Sequence, residues 1–237
     1  MSLKLNLGAG RVILPAHKLP VGENGHYQVE RIYQHLMPLP ECAFEPGWVN
    51  VDKYPNPGIS EAVDLFQFPW VRSSNGSPWN DNSADEIYCS HIIEHIPHAA
   101  QVSAVPGSVA QPYRDMAKHL DGWFVFFYEC WRILKPDGLL RIVAPFGMSV
   151  AGVADPSHTR YIVSGSFAYL SRNTDAQAPF DYHLPMWFEL AEAPLYRFRG
   201  EWAKMIEGMA PEEATHLAYT YFDVCDEIRL TLRAVKD

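Results

Sequence analysis

Two groups of residues in this chain have the types and spacing to do chemistry. The first is a glycine turn, Gly8-Ala9-Gly10, which follows directly on Leu3, Leu5 and Leu7 alternating with Lys4 and Asn6. An apolar period of two that runs into Gly-x-Gly begins the nucleotide site of a parallel α/β sheet, because glycine lets the backbone turn sharply and approach a ligand with no Cβ in the way. Short turns of this kind also close strands that bind nothing, and Ile13 stands where the dinucleotide fingerprint needs its third glycine, which disfavours a full NAD or FAD site. The second group is His91, Glu94 and His95. Its form, H-x-x-E-H, is a zinc signature when both histidines share one helical face and the glutamate acts as base. No third protein ligand can be singled out from the sequence. The plainer reading has one histidine capping or packing the helix while the others face solvent.

The elements that must position these residues follow from periodicity and punctuation. Trp48-Val49-Asn50-Val51 alternates and ends at Asp52, before the turn-rich 53–58; Ala62-Val63-Asp64-Leu65 has the form of a short strand ending in a second acid. Ala84 to Cys89 predicts a further strand passing into a helical stretch over 90–96 that Pro97 stops. The charge-poor stretch 99–112, with Pro106-Gly107-Ser108, predicts an inserted loop. From about Asp121 to Leu134, Trp123, Phe126, Phe127, Cys130, Trp131 and Leu134 recur at helical spacing, a stripe suited to packing on a sheet. Lys135-Pro136-Asp137-Gly138 then turns the chain into the buried strand 139–144. Helical residues over 164–170 and strand-like runs over 187–198 and 227–235 complete the pattern. Strands alternating with helices predict an α/β fold, Rossmann-like and doubly wound, with a mostly parallel seven-stranded sheet and helices on both faces. Ligands of such sheets sit beyond the carboxyl ends of the strands, so Gly8, Gly10, Asp52, Asp64 and Ser90 or His91 are expected in one crevice.

With 237 residues the chain predicts a single domain with insertions near 22–46, 99–112 and 172–222. A net charge of -9 argues against non-specific binding to nucleic-acid phosphates. Cys42, Cys89, Cys130 and Cys225 are far apart and form no Cys-x-x-Cys pair, which fits reduced thiols in a cytoplasm. No leader-like segment precedes the first strand and no apolar run reaches spanning length, so a cytoplasmic protein without membrane partners is expected.

Six ordered segments together resemble the class I S-adenosylmethionine-dependent methyltransferases, especially the type 11-like core. They are 5–10, 47–52, 62–65, 82–95, 129–143 and 155–160, with a weaker echo at 227–233. The resemblance implies S-adenosylmethionine as cofactor and a cofactor site of Asn6, Gly8, Ala9, Gly10, Asp52, Lys53, Asp64, Leu65, Ser90 and His91. In it the glycine turn lies under the methionine part, whose carboxylate uses backbone N–H groups, Asp52 takes both ribose hydroxyls, and Asp64 with Leu65 borders the adenine. Asp52 stands 44 positions beyond Gly8, about twice the ~20 of the dinucleotide motif, and the excess is assigned to the insertion between Gly22 and Pro46 with its helix candidate 27–36.

The expected activity is methyl transfer to an oxygen or nitrogen atom of a small-molecule acceptor or modified biopolymer, with His91, Glu94 and His158 as candidates for acceptor chemistry. His158 can take a proton and Arg160 can bind an acidic group, or else Asp155 starts a turn with Pro156 and pairs with Arg160. Residues 180–188 are aromatic-rich and suit either a cover for the acceptor pocket or strand packing. Two other readings stand beside it: a zinc metallopeptidase using 91–95, and a module that binds S-adenosylmethionine without turnover. Metal is expected to be absent from the His91, Glu94, His95 group.

Overall fold

The computed structural model describes residues 3–9, 48–55, 59–105, 107–172 and 184–236. Gly10, Cys42, the insertion 22–46 and residues 180–183 of the aromatic run lie outside them.

The main sheet starts with β1 (Lys4–Leu7), β2 (Trp48–Asp52) and β3 (Glu61–Ala62). It continues with β5 (Ala84–Ser90) and β7 (Leu134–Pro145). The outer strands are β8 (Trp187–Leu190), β9 (Leu195–Phe198) and β10 (Cys225–Val235). A separate parallel pair joins β4 (Gln67–Phe68) to β6 (Gln101–Val102). The order across the main sheet is β3-β2-β1-β5-β7-β10-β8, seven strands in line, with β9 paired to β10 off this path. All pairs from β3 to β7 are parallel, while β10 runs antiparallel to β7, β8 and β9. This is the Rossmann-like, mostly parallel sheet that the strand and helix alternation predicts.

The chain leaves β1 towards β2 and β3, then returns to add β5 on the other flank of β1. That reversal makes the carboxyl ends of β1 and β5 the switch point where such sheets open a crevice. Ile87, Tyr88 and Cys89 of β5, like Ile142, Val143 and Ala144 of β7, are consecutively buried, which requires cover on both faces of the sheet. One cover is α2 (Gly122–Ile133), which Asp121 caps by accepting the Trp123 N–H at 2.8 Å. Its Val125, Phe126, Phe127, Cys130 and Ile133 are fully buried. The aromatic stripe is therefore core, as its spacing indicates.

Three local expectations need correction. The stretch 99–112 is no loop: it holds β6 and most of α1 (Gly107–Met116), in which Pro112 lies inside the helix. The helical stretch over 90–96 shrinks to one 3-10 turn, Ile93–His95, because His91 takes a left-handed backbone with φ +52°. No separate turn divides α2 from the next strand, since β7 starts at Leu134 and accommodates Asp137 with φ +62°. Cys89, Cys130 and Cys225 are buried free thiols. No helix among the described residues is long and apolar enough to cross a membrane.

Candidate functional site

Gly8 leaves β1 with φ +66°, a conformation that suits glycine and few other residues. A Cβ built there would stand 2.0 Å from Cδ1 of Ile92, two residues beyond the end of β5. The turn therefore packs closely on the segment just beyond β5 for a reason internal to the protein. Ala9 is buried and donates its N–H to the Val51 carbonyl at 3.1 Å, so this amide is already engaged within the protein. Asn6, also buried, donates to the Asn50 side chain across β1 and β2 at 3.1 Å.

At the end of β2, Asp52 is half-buried and accepts the Tyr54 N–H at 3.0 Å, while its carbonyl accepts the Val63 N–H. Lys53 reaches Asp64 at 2.9 Å. That hydrogen bond, reinforced by the carboxylate charge, holds the Lys53 ammonium above its ordinary range. Asp64 also accepts the Phe66 N–H at 3.1 Å, and the Leu65 carbonyl accepts the Trp70 indole N–H at 2.9 Å. Asp64 and Leu65 therefore shape the loop after β3, with Leu65 itself buried. Gly8, Asp52, Asp64, Ser90 and His91 thus stand at the carboxyl ends of neighbouring strands, as the strand order requires.

The H-x-x-E-H segment does not form the helix that zinc hydrolysis needs. His91 sits before the 3-10 turn with its N–H donated to Val143 at 2.9 Å, so it and His95 are not stacked on one helical face, and the metallopeptidase reading is dropped. His91 instead lies between two buried carboxylates, with Nδ1 3.5 Å from Glu94 and Nε2 3.4 Å from Glu227. Burial pushes this imidazole down, yet the two carboxylates outweigh it and raise its pKa to about 9. At neutral pH it is a cation and cannot act as a base. Glu227 was missed in the sequence; the available signal was an acid within the apolar run of β10.

A titration checks this pair of contacts. An imidazole with a pKa of ~6.5 unfolded and about 9 folded binds its proton more tightly in the folded state, so its stabilisation is full at low pH and is lost as pH rises through 9. The melting temperature should fall between roughly pH 7 and 10, and fall less in His91→Gln. Equal slopes in the two proteins would exclude the contacts as its cause.

Residues 155–160 are tied to the 93–97 turn. The N–H groups of Thr159 and Arg160 donate to the Glu94 carbonyl, the Thr159 hydroxyl donates to Ile96 at 2.8 Å, and Arg160 Nε donates to the same carbonyl at 2.8 Å. Arg160 pairs with Asp121 at 2.5 Å and lies over Trp123, so the expected Asp155 pairing is not formed. Asp155 does start a turn, accepting the Ser157 N–H at 2.8 Å. His158 is largely buried, with Nδ1 3.0 Å from the Gly152 carbonyl. Its ring meets His95 edge-on at a centroid distance of 4.8 Å. Glu94, His95 and His158 thereby bring one potential ligand atom each within 4.8 Å of the others.

No protein-family model matches the chain, and no curated protein does. Solved structures do show a likeness. An S-adenosylmethionine-dependent methyltransferase from Archaeoglobus fulgidus is 14% identical over 98% of this chain and 86% of its own, with a TM-score of 0.40. One from Mesorhizobium loti is 14% identical over 98% and 90%, at 0.37. The [4+2]-cyclase SpnF is 14% identical over 100% and 76%, at 0.41. Identities and scores this low leave the function to be argued from the residues.

Proposed function

We propose that the chain binds S-adenosylmethionine at the carboxyl ends of β1, β2, β3 and β5 and passes its methyl group to an oxygen or nitrogen acceptor. The observation that carries this reading is the left-handed Gly8 turn at the switch point of the sheet, with Asp52 beside it at the end of the neighbouring β2. A half-buried carboxylate closing the second strand has the chemistry to accept two vicinal hydroxyls, and a turn without a Cβ lets a ligand approach the backbone. Asn6, Lys53, Asp64, Leu65 and Ser90 complete the same rim, with Gly10 beyond it in sequence. The Lys53 and Asp64 pair fixes the loop that would border the base.

Bound S-adenosylmethionine supplies an electrophilic sulfonium methyl. The protein's part is to align the acceptor with it and exclude water. His91, as an imidazolium, offers charge to an anionic group of either ligand. Glu94 and His158 are the nearby groups able to take a proton from the acceptor when no metal ion occupies them. A cytoplasmic setting belongs to the same proposal and rests on the three free buried thiols. So does the single-domain organisation over 1–237.

Calorimetry with S-adenosylhomocysteine tests the binding half. Losing a charge-assisted hydrogen bond costs about 1.5 to 3 kcal/mol, so Asp52→Ala should weaken binding roughly 10- to 100-fold. Wild-type protein with no measurable affinity ends the proposal. Affinity without release of S-adenosylhomocysteine from any metabolite, sugar or peptide acceptor would favour a binding module.

A further inference from the structure

We infer that Glu94, His95 and His158 form a binding site for a first-row divalent transition metal ion. Glu94 is 1% exposed, and neither of its carboxylate oxygens makes a hydrogen bond. A buried carboxylate in that condition is costly unless a cation compensates it. His91 does so only in part: it stands 3.5 Å from Oε1 with no hydrogen bond to either Glu94 oxygen, and it also faces Glu227, which Arg197 and Arg229 pair as well. The same Glu94 oxygen, Oε1, also faces His95 Nε2 at 3.8 Å.

Both imidazoles are held as metal ligands usually are. His95 Nδ1 lies 3.2 Å from the Ser157 carbonyl, and His158 Nδ1 lies 3.0 Å from the Gly152 carbonyl. Each carbonyl can only accept, so a proton on Nδ1 serves it and leaves Nε2 to face an ion; the Ser157 hydroxyl also stands 3.2 Å from His95 Nδ1. A carbonyl behind each ring is the outer contact that orients metal-binding histidines. Ligand atoms bonded at ~2.0–2.1 Å to a tetrahedral ion stand about 3.4 Å apart, so the three donors need only draw together from their present spacing. The two segments that carry them are already fastened through Thr159 and Arg160, which spares the cost of bringing the segments together.

The donor set selects the metal class. Two neutral imidazoles with one carboxylate suit zinc, cobalt, nickel or iron(II), and not the hard cations that take oxygen ligands alone. Asp155 Oδ2, 3.9 Å from His158 Nε2, is a fourth donor within reach on the exposed side. This set is distinct from the H-x-x-E-H reading, since His91 is excluded and His158 stands 63 positions beyond His95. Metal binding as such does not depend on methyl transfer.

The test uses full-length protein stripped with a chelator, reloaded with Co²⁺ and followed by its visible absorption, with Zn²⁺ stoichiometry by elemental analysis. One equivalent is expected in the wild type. His95→Ala, His158→Ala and Glu94→Gln should each weaken Co²⁺ by at least ~10- to 100-fold, while substituting the exposed His216 of the helix Pro211–Thr220, outside the cluster, by His216→Ala leaves it unchanged. Should His158→Ala fail to fold, His95→Ala and imidazole proton resonances of the wild type under Zn²⁺ titration replace it; rings 95 and 158 must respond together. No stoichiometric uptake, or uptake that persists in both histidine variants, overturns the site. Because no S-adenosylmethionine is present, either failure leaves the methyl-transfer reading to its own test.

Discussion

Arg132→Met is expected to destabilise the protein by about 3 to 5 kcal/mol, because it strips the cation from a buried network. Glu129, fully buried on α2, accepts the Trp70 N–H at 2.9 Å and the Tyr113 hydroxyl. Arg132, one turn further on, meets both Glu129 oxygens at 2.9 Å. It also donates to the Trp79 carbonyl at 2.7 Å and to Asp81 at 2.5 Å. One guanidinium therefore links α2 to α1 and to the loop before β5. Removing it leaves a carboxylate in the core with two neutral donors and no counter-charge. For a protein of this size, each 1 kcal/mol lowers the melting temperature by roughly 2 to 4 °C, so the expected fall is about 6 to 20 °C. The double variant Glu129→Leu/Arg132→Met should recover part of the loss, since replacing both charges by apolar groups of similar volume is often close to neutral. Urea denaturation decides it. A loss under ~1 kcal/mol, or a double variant no better than the single, would mean that the pair contributes little.

What could be read from the sequence was what neighbouring residues determine. The alternation 3–7 with its glycine turn, the helical stripe after Asp121 and the apolar run of β7 each form locally, and their order gives the parallel sheet. Where tertiary contacts override local preference, the sequence misled. Residues 90–96 lack a helix because His91 is pulled into a left-handed turn between Glu94 and Glu227, and Glu227 comes from the last strand. Arg160 follows Asp155 closely but pairs with Asp121, because the carbonyls of Ile96 and Pro97 fix its guanidinium on that side. The glycine and proline of 106–112 read as loop punctuation although they lie within or beside α1. The Glu94, His95 and His158 cluster had no spacing to betray it, since two loops bring its members together. Of the rim proposed for S-adenosylmethionine, the residue types could be named from the sequence. That the Ala9 amide is already engaged by Val51 could not.

Gly8→Val is expected to cost about 2 to 4 kcal/mol of stability and to abolish binding of S-adenosylhomocysteine. Two separable effects add. A β-branched residue at φ +66° carries backbone strain of roughly 1 to 3 kcal/mol whatever the surrounding space. Its Cβ would also fall 2.0 Å from Cδ1 and 2.2 Å from Cγ1 of Ile92. The second effect is removable, because those atoms belong to a side chain that can be truncated. Ile92→Ala in the Gly8→Val background should therefore restore stability relative to Gly8→Val alone, up to the strain that no neighbour can relieve. Urea denaturation of the two single variants and the double gives the coupling directly, and it should be negative, because the second substitution relieves the first. Calorimetry on the same three proteins then separates structure from binding. If the relieved double variant folds and still fails to bind, the bare backbone at Gly8 is needed by the ligand itself. If it binds as wild type does, the glycine serves only the packing of β1 against Ile92, and the cofactor must be held without that turn.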